Sequence, residues 1–363
     1  MPQTRNLLVW LDGLPTIETV AYLLSALQAR KHVAVKLFLP AGKFLADGPV
    51  MRKLSRLGLA PVPVSRLRSK FLFQRDLAAG DAVLVITDPA LDRSSRAFRS
   101  SAIRRSGKPV IFVQHGAYQS GVNAPTGSGQ STGVEYEAGR LLLWQCTQLE
   151  ERFLSRNSLL KVRVTGFIKK PFLPFLPQSD ELRDWVARYR SRVLFCQSFR
   201  WAGARFGADT VAEWYAMLDG FLTANPDIGV VVRPHRGKVH RSHSGNDTEL
   251  LKRHPNLLVS MSNEGPLKDA AIHDCVQLCH SVVCPESTVV LDSVYLDRPV
   301  MIMDEMSALF PELPRFDGPE TLAAFARDPE FAREASQKVL DRFGRIDDNL
   351  SRACDYIEEF IGG

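Results

Sequence analysis

One segment, Ser281–Met303 (SVVCPESTVVLDSVYLDRPVMIM), limits the possible folds of this chain more than any other. Its pattern predicts a short apolar strand (Ser281–Cys284) and a turn carrying Glu286, Ser287 and Thr288. A helix (Val289–Leu296) and a second apolar strand (Pro299–Met303) follow. Strands that are apolar on both faces must be covered on both faces, and crossover helices on a parallel sheet do this. The turn brings two hydroxyls and unpaired backbone N–H groups to a helix start, at the carboxyl end of a strand. Anions bind at such places, and ligands of open α/β sheets gather at that edge. An ordinary helix cap uses the same residues, so the segment alone leaves a phosphate pocket and a cap both open.

The same alternation runs along the chain. Leu7–Leu11, Val33–Leu39, Ala82–Thr87, Pro109–Gln114, Leu141–Gln145 and Lys161–Thr165 read as buried strands, separated by helical stretches such as Pro15–Arg30. In residues 167–178, FIKKPFLPFLPQ, three prolines forbid regular structure and mark a linker. A second α/β series follows: a helix at Asp180–Tyr189, strands at Val193–Gln197, Ile228–Arg233 and Leu257–Met261, helices at Asp209–Thr223 and Leu267–His273, then the opening segment. From Pro319 the pattern is helical throughout. The expected fold is therefore α/β of the GT-B architecture, two Rossmann-like domains facing across a cleft with C-terminal helices. The expected boundaries are 1–170, 171–330 and 331–363. The Gly/Ser/Thr stretch Asn123–Gly133 reads as a flexible loop.

At 363 residues, 45% apolar and 24% charged, the composition is that of a globular protein with room for two cores. No secretory leader and no membrane-spanning segment is expected, and six scattered cysteines suit a reducing compartment, so the expected location is cytoplasmic. The net charge of +6 is uneven: residues 1–108 hold 18 Lys/Arg against 7 Asp/Glu. Pro49–Arg75 carries seven basic residues, no acidic one and interleaved Leu and Phe. Such a face suits an anionic membrane surface, a solvated exterior or, less readily, nucleic acid. No nucleic-acid motif accompanies it, so no nucleic-acid partner is expected. Neither a Walker A pattern nor GxGxxG occurs, and no cofactor is expected.

Residues able to do chemistry stand at strand ends. His115, in VIFVQHG, can accept a proton from a sugar hydroxyl near neutral pH. Arg233 and His235, in RPHRG, suit a phosphate whose charge grows as a leaving group departs. Gln197 and Ser198 end the first strand of the second series, where a nucleotide is approached. Asp12 ends the first strand of the chain and could act as a base or as a helix cap. Glu135 and Glu137 are further candidate bases. A carboxylate such as Glu286 can accept two ribose hydroxyls. Cys275, Cys279 and Cys284 have the residue types for zinc, but their apolar setting fits buried free thiols better, and no metal site is expected.

Together VQHG, RPHRG and CPESTVVLDSVYLDRPVMI resemble the bacterial GT-B enzymes of surface polysaccharide assembly. The capsule Kdo transferases are the nearer likeness, and the CDP-glycerol glycerophosphotransferases of teichoic acid synthesis the more distant. His115 matches the family's Gln/Trp-His-Gly element, His235 its "HP" histidine, and Ser287 with Thr288 its Ser-Ser/Thr turn. The chain departs from the pattern at Arg236, where Pro is usual, and at Asp297, where the "GKPV" element has Gly. The resemblance implies a metal-independent glycosyltransferase. Its donor would be a nucleotide sugar or polyol, CMP- or CDP-linked, and its acceptor a lipid-linked or growing glycan at the inner membrane face. It further implies that His115 is the base or the acceptor-positioning group and that Arg233, His235, Ser287 and Thr288 bind the leaving phosphate, with Glu286 able to hold the ribose hydroxyls. The alternatives are an isomerase similar to the UDP-sugar 2-epimerases, which would need several carboxylates (Asp12, Asp88 and Glu286 are the few at strand ends), and a non-catalytic partner in polysaccharide assembly.

Overall fold

The computed structural model describes residues 4–11, 14–41, 48–65, 73–91, 97–126, 128–171, 179–197, 208–234, 238–260, 265–268, 270–303 and 308–362. Contacts divide the chain into two units, residues 1–170 with 342–363, and residues 171–341.

In the first unit seven strands form one sheet: β1 (Arg5–Trp10), β2 (Val33–Pro40), β3 (Val62–Val64), β4 (Ala82–Val85), β5 (Val110–Val113), β6 (Arg140–Leu143) and β7 (Val162–Val164). Their order is β3-β2-β1-β4-β5-β6-β7 and every pair is parallel. The order reverses between β1 and β4, which makes that position a topological switch point. Leu8, Phe38, Val83, Phe112, Leu141 and Leu143 fill its core, as apolar runs on a doubly covered sheet must. Strand β3 reads VPV and escapes the alternation because of Pro63. It is an edge strand, where a residue with no N–H to donate is tolerated.

The tail behaves differently from the expected separate set of helices: residues 331–341 belong with the second unit and 342–363 with the first. The last helix, Ile346–Gly362, is tied to the helix Leu14–Ala29 at its end, where Arg30 donates to Glu358 (3.0 Å) and to the Ser351 carbonyl (3.1 Å). Asn349 is fully buried and donates to the carbonyls of Phe167 (2.9 Å) and Phe343 (2.7 Å). Gly166 lies against it at φ +82°, where a Cβ would fall 2.4 Å from the Asn349 side chain. Only glycine satisfies both conditions.

The second unit has β8 (Ser191–Cys196), β9 (Ile228–Arg233), β10 (Leu257–Val259), β11 (Ser281–Cys284) and β12 (Val300–Ile302), ordered β10-β9-β8-β11-β12 and all parallel. Val193, Phe195, Val230, Val232, Val283 and Met301 form its core, together with Leu218 and Phe221 of the helix Ala208–Ala224. The switch point here lies between β8 and β11.

The opening segment folds as its pattern requires, with the helix at Thr288–Val294. It stops early because Asp297 turns left-handed at φ +56°, and Arg298 N–H closes back on the Ser293 carbonyl (3.0 Å). Asp is among the few residues other than Gly that adopt this conformation. The helix expected at Leu267–His273 lies instead at Ile272–Leu278. Its start is set by the Asp274 carboxylate, which accepts the Ala271 N–H at 2.7 Å. A further helix, Lys238–Arg253, carries a polar sequence without an apolar stripe long enough to announce it. Among the described residues no helix is long and apolar enough to cross a membrane.

Candidate functional site

At the carboxyl edge of the second sheet, consecutive strands deliver polar groups side by side. Register pairs Phe195 with Val283 across β8 and β11, so Gln197 and the Glu286–Ser287 turn flank the switch point. Arg233 follows on β9, where it pairs with Cys196, and Ser260 follows β10. Each is held in place. Arg233 is only 9% exposed, and its Nη1 donates to the Ala270 carbonyl (2.6 Å) and to Ser260 Oγ (3.2 Å). Gln197 is buried and donates to the Tyr215 hydroxyl (3.3 Å), which in turn donates to Asp247 (2.7 Å). Gln197 Oε1 has no hydrogen-bond partner among the described residues. The buried Glu286 carboxylate accepts the Leu309 N–H at 2.7 Å.

Ser287 occupies the N-cap position of the helix Thr288–Val294 in extended geometry, yet its hydroxyl makes no capping bond. A structural cap would use that oxygen on a first-turn N–H. Behind it, Asp292 of the same helix meets His273 of the helix Ile272–Leu278 at 3.1 Å, with both side chains almost fully buried. This pair pins the two helices together. It leaves no periodic mark in the sequence.

In the first unit His115 follows β5 and neighbours the switch point. Burial pushes its imidazole down to about 4, against a hydrogen bond to the Ile86 backbone that favours the charged ring. The ring is therefore neutral at pH 7, and its Nδ1 is buried with no partner among the described residues. It can accept a proton or donate a hydrogen bond, but it is a weaker base than an imidazole poised near neutrality. The backbone around it is fixed by side chains. Gln119 Oε1 accepts the N–H groups of His115 (2.9 Å) and Gly116 (3.2 Å), and Gln114 donates to the Gly116 carbonyl (2.9 Å).

The remaining candidates divide clearly. Asp12, Ser198 and His235 lie outside the described residues. Thr288 opens the helix beside Ser287. Asp88 is fully buried and accepts the N–H groups of Ala138 (2.8 Å), Ala90 (2.9 Å) and Glu137 (3.1 Å). Burial nevertheless raises its carboxyl. Glu137 pairs with Arg104 at 2.6 Å, and Glu135 with Lys161 at 3.7 Å and with Ser155, all on the surface. Both glutamates are tied to partners there rather than offered as bases. Cys196, Cys275, Cys279 and Cys284 are buried free thiols, and no group of three metal-ligating side chains gathers among the described residues. Asn123, expected in a flexible loop, is 3% exposed and hydrogen-bonded into the fold through Ala117 and Glu150. The amide partners of these strand-end residues went unread in the sequence, because each lies in a different element.

No protein-family model matches the chain, and no curated protein matches its sequence. Solved structures do match it along its whole length. MnaA of S. aureus, solved with UDP, aligns at TM-score 0.70 and 13% identity over 99% of this chain and 97% of that one. The UDP-GlcNAc 2-epimerase of Methanocaldococcus jannaschii, solved with UDP-GlcNAc and UDP, aligns at 0.60 and 12% identity, covering 97% and 99%. A glycosyltransferase from Rickettsia africae aligns at 0.56 and 12% identity, covering 99% of each. At these identities the likeness is one of fold: the chain has the GT-B type of α/β fold, two Rossmann-like units in a single chain.

Proposed function

We propose that this chain is a nucleotide-sugar enzyme that holds its nucleotide at the switch point of the second sheet. The observation that carries the reading is the placement of Gln197 and Glu286–Ser287 on either side of that point, with Arg233 one strand away. In this reading Arg233, His235, Ser287 and Thr288 receive the phosphates, Glu286 the ribose hydroxyls, and Gln197 and Ser198 the rest of the nucleotide. His115 and Asp12 are the acid–base candidates. The structural relatives solved with a nucleotide hold UDP or a UDP-sugar, which favours a uridine donor over the CMP or CDP type.

Two chemistries fit such a site. Epimerisation has the broader backing from relatives: UDP-GlcNAc 2-epimerase structures align at TM-scores from 0.54 to 0.68, against 0.56 for two glycosyltransferases. It moves a proton at carbon and so needs carboxylates free to act. Transfer to a lipid-linked or growing surface glycan, of the capsule Kdo or CDP-glycerol type, is the second reading. The commitment of Asp88 to three backbone N–H groups favours it. In that case the basic N-terminal segment would hold the acceptor at an anionic membrane surface.

A thermal-shift panel of UDP, CMP, CDP, GDP and ADP, each with and without Mg²⁺, tests the shared claim. Selective stabilisation by one pyrimidine nucleotide is expected. Absence of any shift would contradict it. Incubation of the stabilising nucleotide's sugar in D₂O without acceptor then separates the chemistries. Deuterium at the sugar carbon means epimerisation, and an unchanged sugar that is consumed only with acceptor means transfer.

A further inference from the structure

We infer that Gln119 is a positioning residue for His115, holding the backbone that carries the imidazole through its side-chain oxygen. The inference rests on the proposed function, in which His115 is an acid–base candidate. The ladder of β5 ends with Gln114, whose N–H reaches the Leu142 carbonyl at 3.0 Å. The next two N–H groups have no strand to pair with. Both converge on Gln119 Oε1, from His115 at 2.9 Å and Gly116 at 3.2 Å. Two successive N–H groups aimed at one point form the hollow that elsewhere holds anions. Here the chain fills it with its own amide oxygen.

Gln119 is itself fixed. It is 7% exposed, and its N–H donates to Asn123 Oδ1 at 2.8 Å. Asn123 Nδ2 donates to the Ala117 carbonyl (2.7 Å) and to Glu150 Oε1 (3.0 Å). Glu150 is fully buried. It also accepts from Gln145 (3.2 Å), the Thr147 N–H (2.9 Å) and the Thr147 hydroxyl (2.6 Å), which occupies both its oxygens. The carbonyls of the same dipeptide are held as well, Gly116 by Gln114 (2.9 Å) and His115 by the Thr19 hydroxyl (3.4 Å). A segment outside regular structure is thus fixed by amide side chains whose own geometry is locked. A binding group needs such support to stay in place. Losing the Gln119 oxygen would leave two N–H groups without an acceptor and turn the backbone, moving the ring with it.

Gln119→Leu removes the oxygen at similar volume, and Gln119→Glu keeps it. The test reads the His115 ring by NMR titration, assigned by loss of its signal in His115→Gln, alongside kcat and KM on the sugar nucleotide that the chain turns over. In Gln119→Leu the His115 midpoint should rise from about 4 toward the free value by about one unit or more. The same variant should lose roughly tenfold to a hundredfold in kcat with KM nearly unchanged, while Gln119→Glu should retain kcat and KM, its own carboxylate being free to raise the midpoint of the ring. Should Gln119→Leu not fold, Gln119→Asn, whose oxygen is drawn back by one methylene, carries the same expectation. A wild-type titration and kcat in the variant lacking the oxygen would overturn the inference, as would equal damage from Gln119→Glu. A shifted titration in an enzyme whose His115→Ala form is fully active would support the positioning role and overturn the role of His115 instead.

Discussion

The two sheets offer different kinds of edge at their switch points. In the first unit a neutral imidazole stands in a backbone fixed by Gln114, Gln119 and Thr19, and the carboxylates near it, Asp88 and Glu150, are buried and taken up by backbone, amide and hydroxyl donors. In the second unit the edge carries formal charge, and each charged group already holds a neighbour: Arg233 the Ala270 carbonyl, Glu286 the Leu309 N–H. The difference separates two tasks. A fixed, uncharged ring presents one group at a set position without attracting ions. In the proposed reading, a buried guanidinium beside hydroxyls and backbone donors would offer a phosphate the charge-assisted bonds it needs.

The comparison can be broken first at Arg233. Replacement by Met removes two hydrogen bonds of a buried cation and should cost the second unit about 3–4 kcal/mol in denaturant titration. Nucleotide affinity should fall with it. A loss below about 1 kcal/mol would mean that the guanidinium is not anchored as its geometry says.

The contrast in charge predicts where acid acts. The unfolded chain protonates His115 near 6.5, whereas the folded chain resists until about 4. Between those values the unfolded state binds the extra proton, so stability falls as pH falls through that window, by at most about 3 kcal/mol for this group. His115→Gln should flatten that part of the stability–pH curve. An unchanged acid limb would place the sensitivity elsewhere.

The smallest effect sharpens the comparison most. Because the Ser287 hydroxyl makes no capping bond, Ser287→Ala should leave the melting temperature within about 1 °C, while nucleotide affinity drops about tenfold. The reverse pattern, lower stability with unchanged affinity, would return Ser287 to the role of a helix cap.

Much of this was legible in the sequence, for physical reasons. Strands such as Ser281–Cys284 and Ile228–Arg233 are buried on both faces, so they appear as unbroken apolar runs, and whatever follows them stands at the sheet edge. Gln197, Arg233 and Glu286 were found in that way. The strand β3 was hidden by Pro63, which only an edge position excuses, and the helix Lys238–Arg253 by its polar composition. The groups that fix the site were hidden for another reason. Gln119 acts on backbone three and four positions before it in an irregular loop, and Asn123 reaches Glu150 across 27 positions. Neither the period of a helix nor that of a strand registers such a bond. Asn123 itself, at the start of a Gly/Ser/Thr stretch read as flexible, is buried and hydrogen-bonded.

The most direct test of the central claim is hydrogen exchange of the full chain with and without saturating UDP. Protection concentrated in residues 285–290 and at the end of β8 near Gln197 is the predicted result, since bound phosphates would cover that turn and the first turn of its helix. Saturable UDP binding with protection confined to other segments, or no binding at all, would contradict the account.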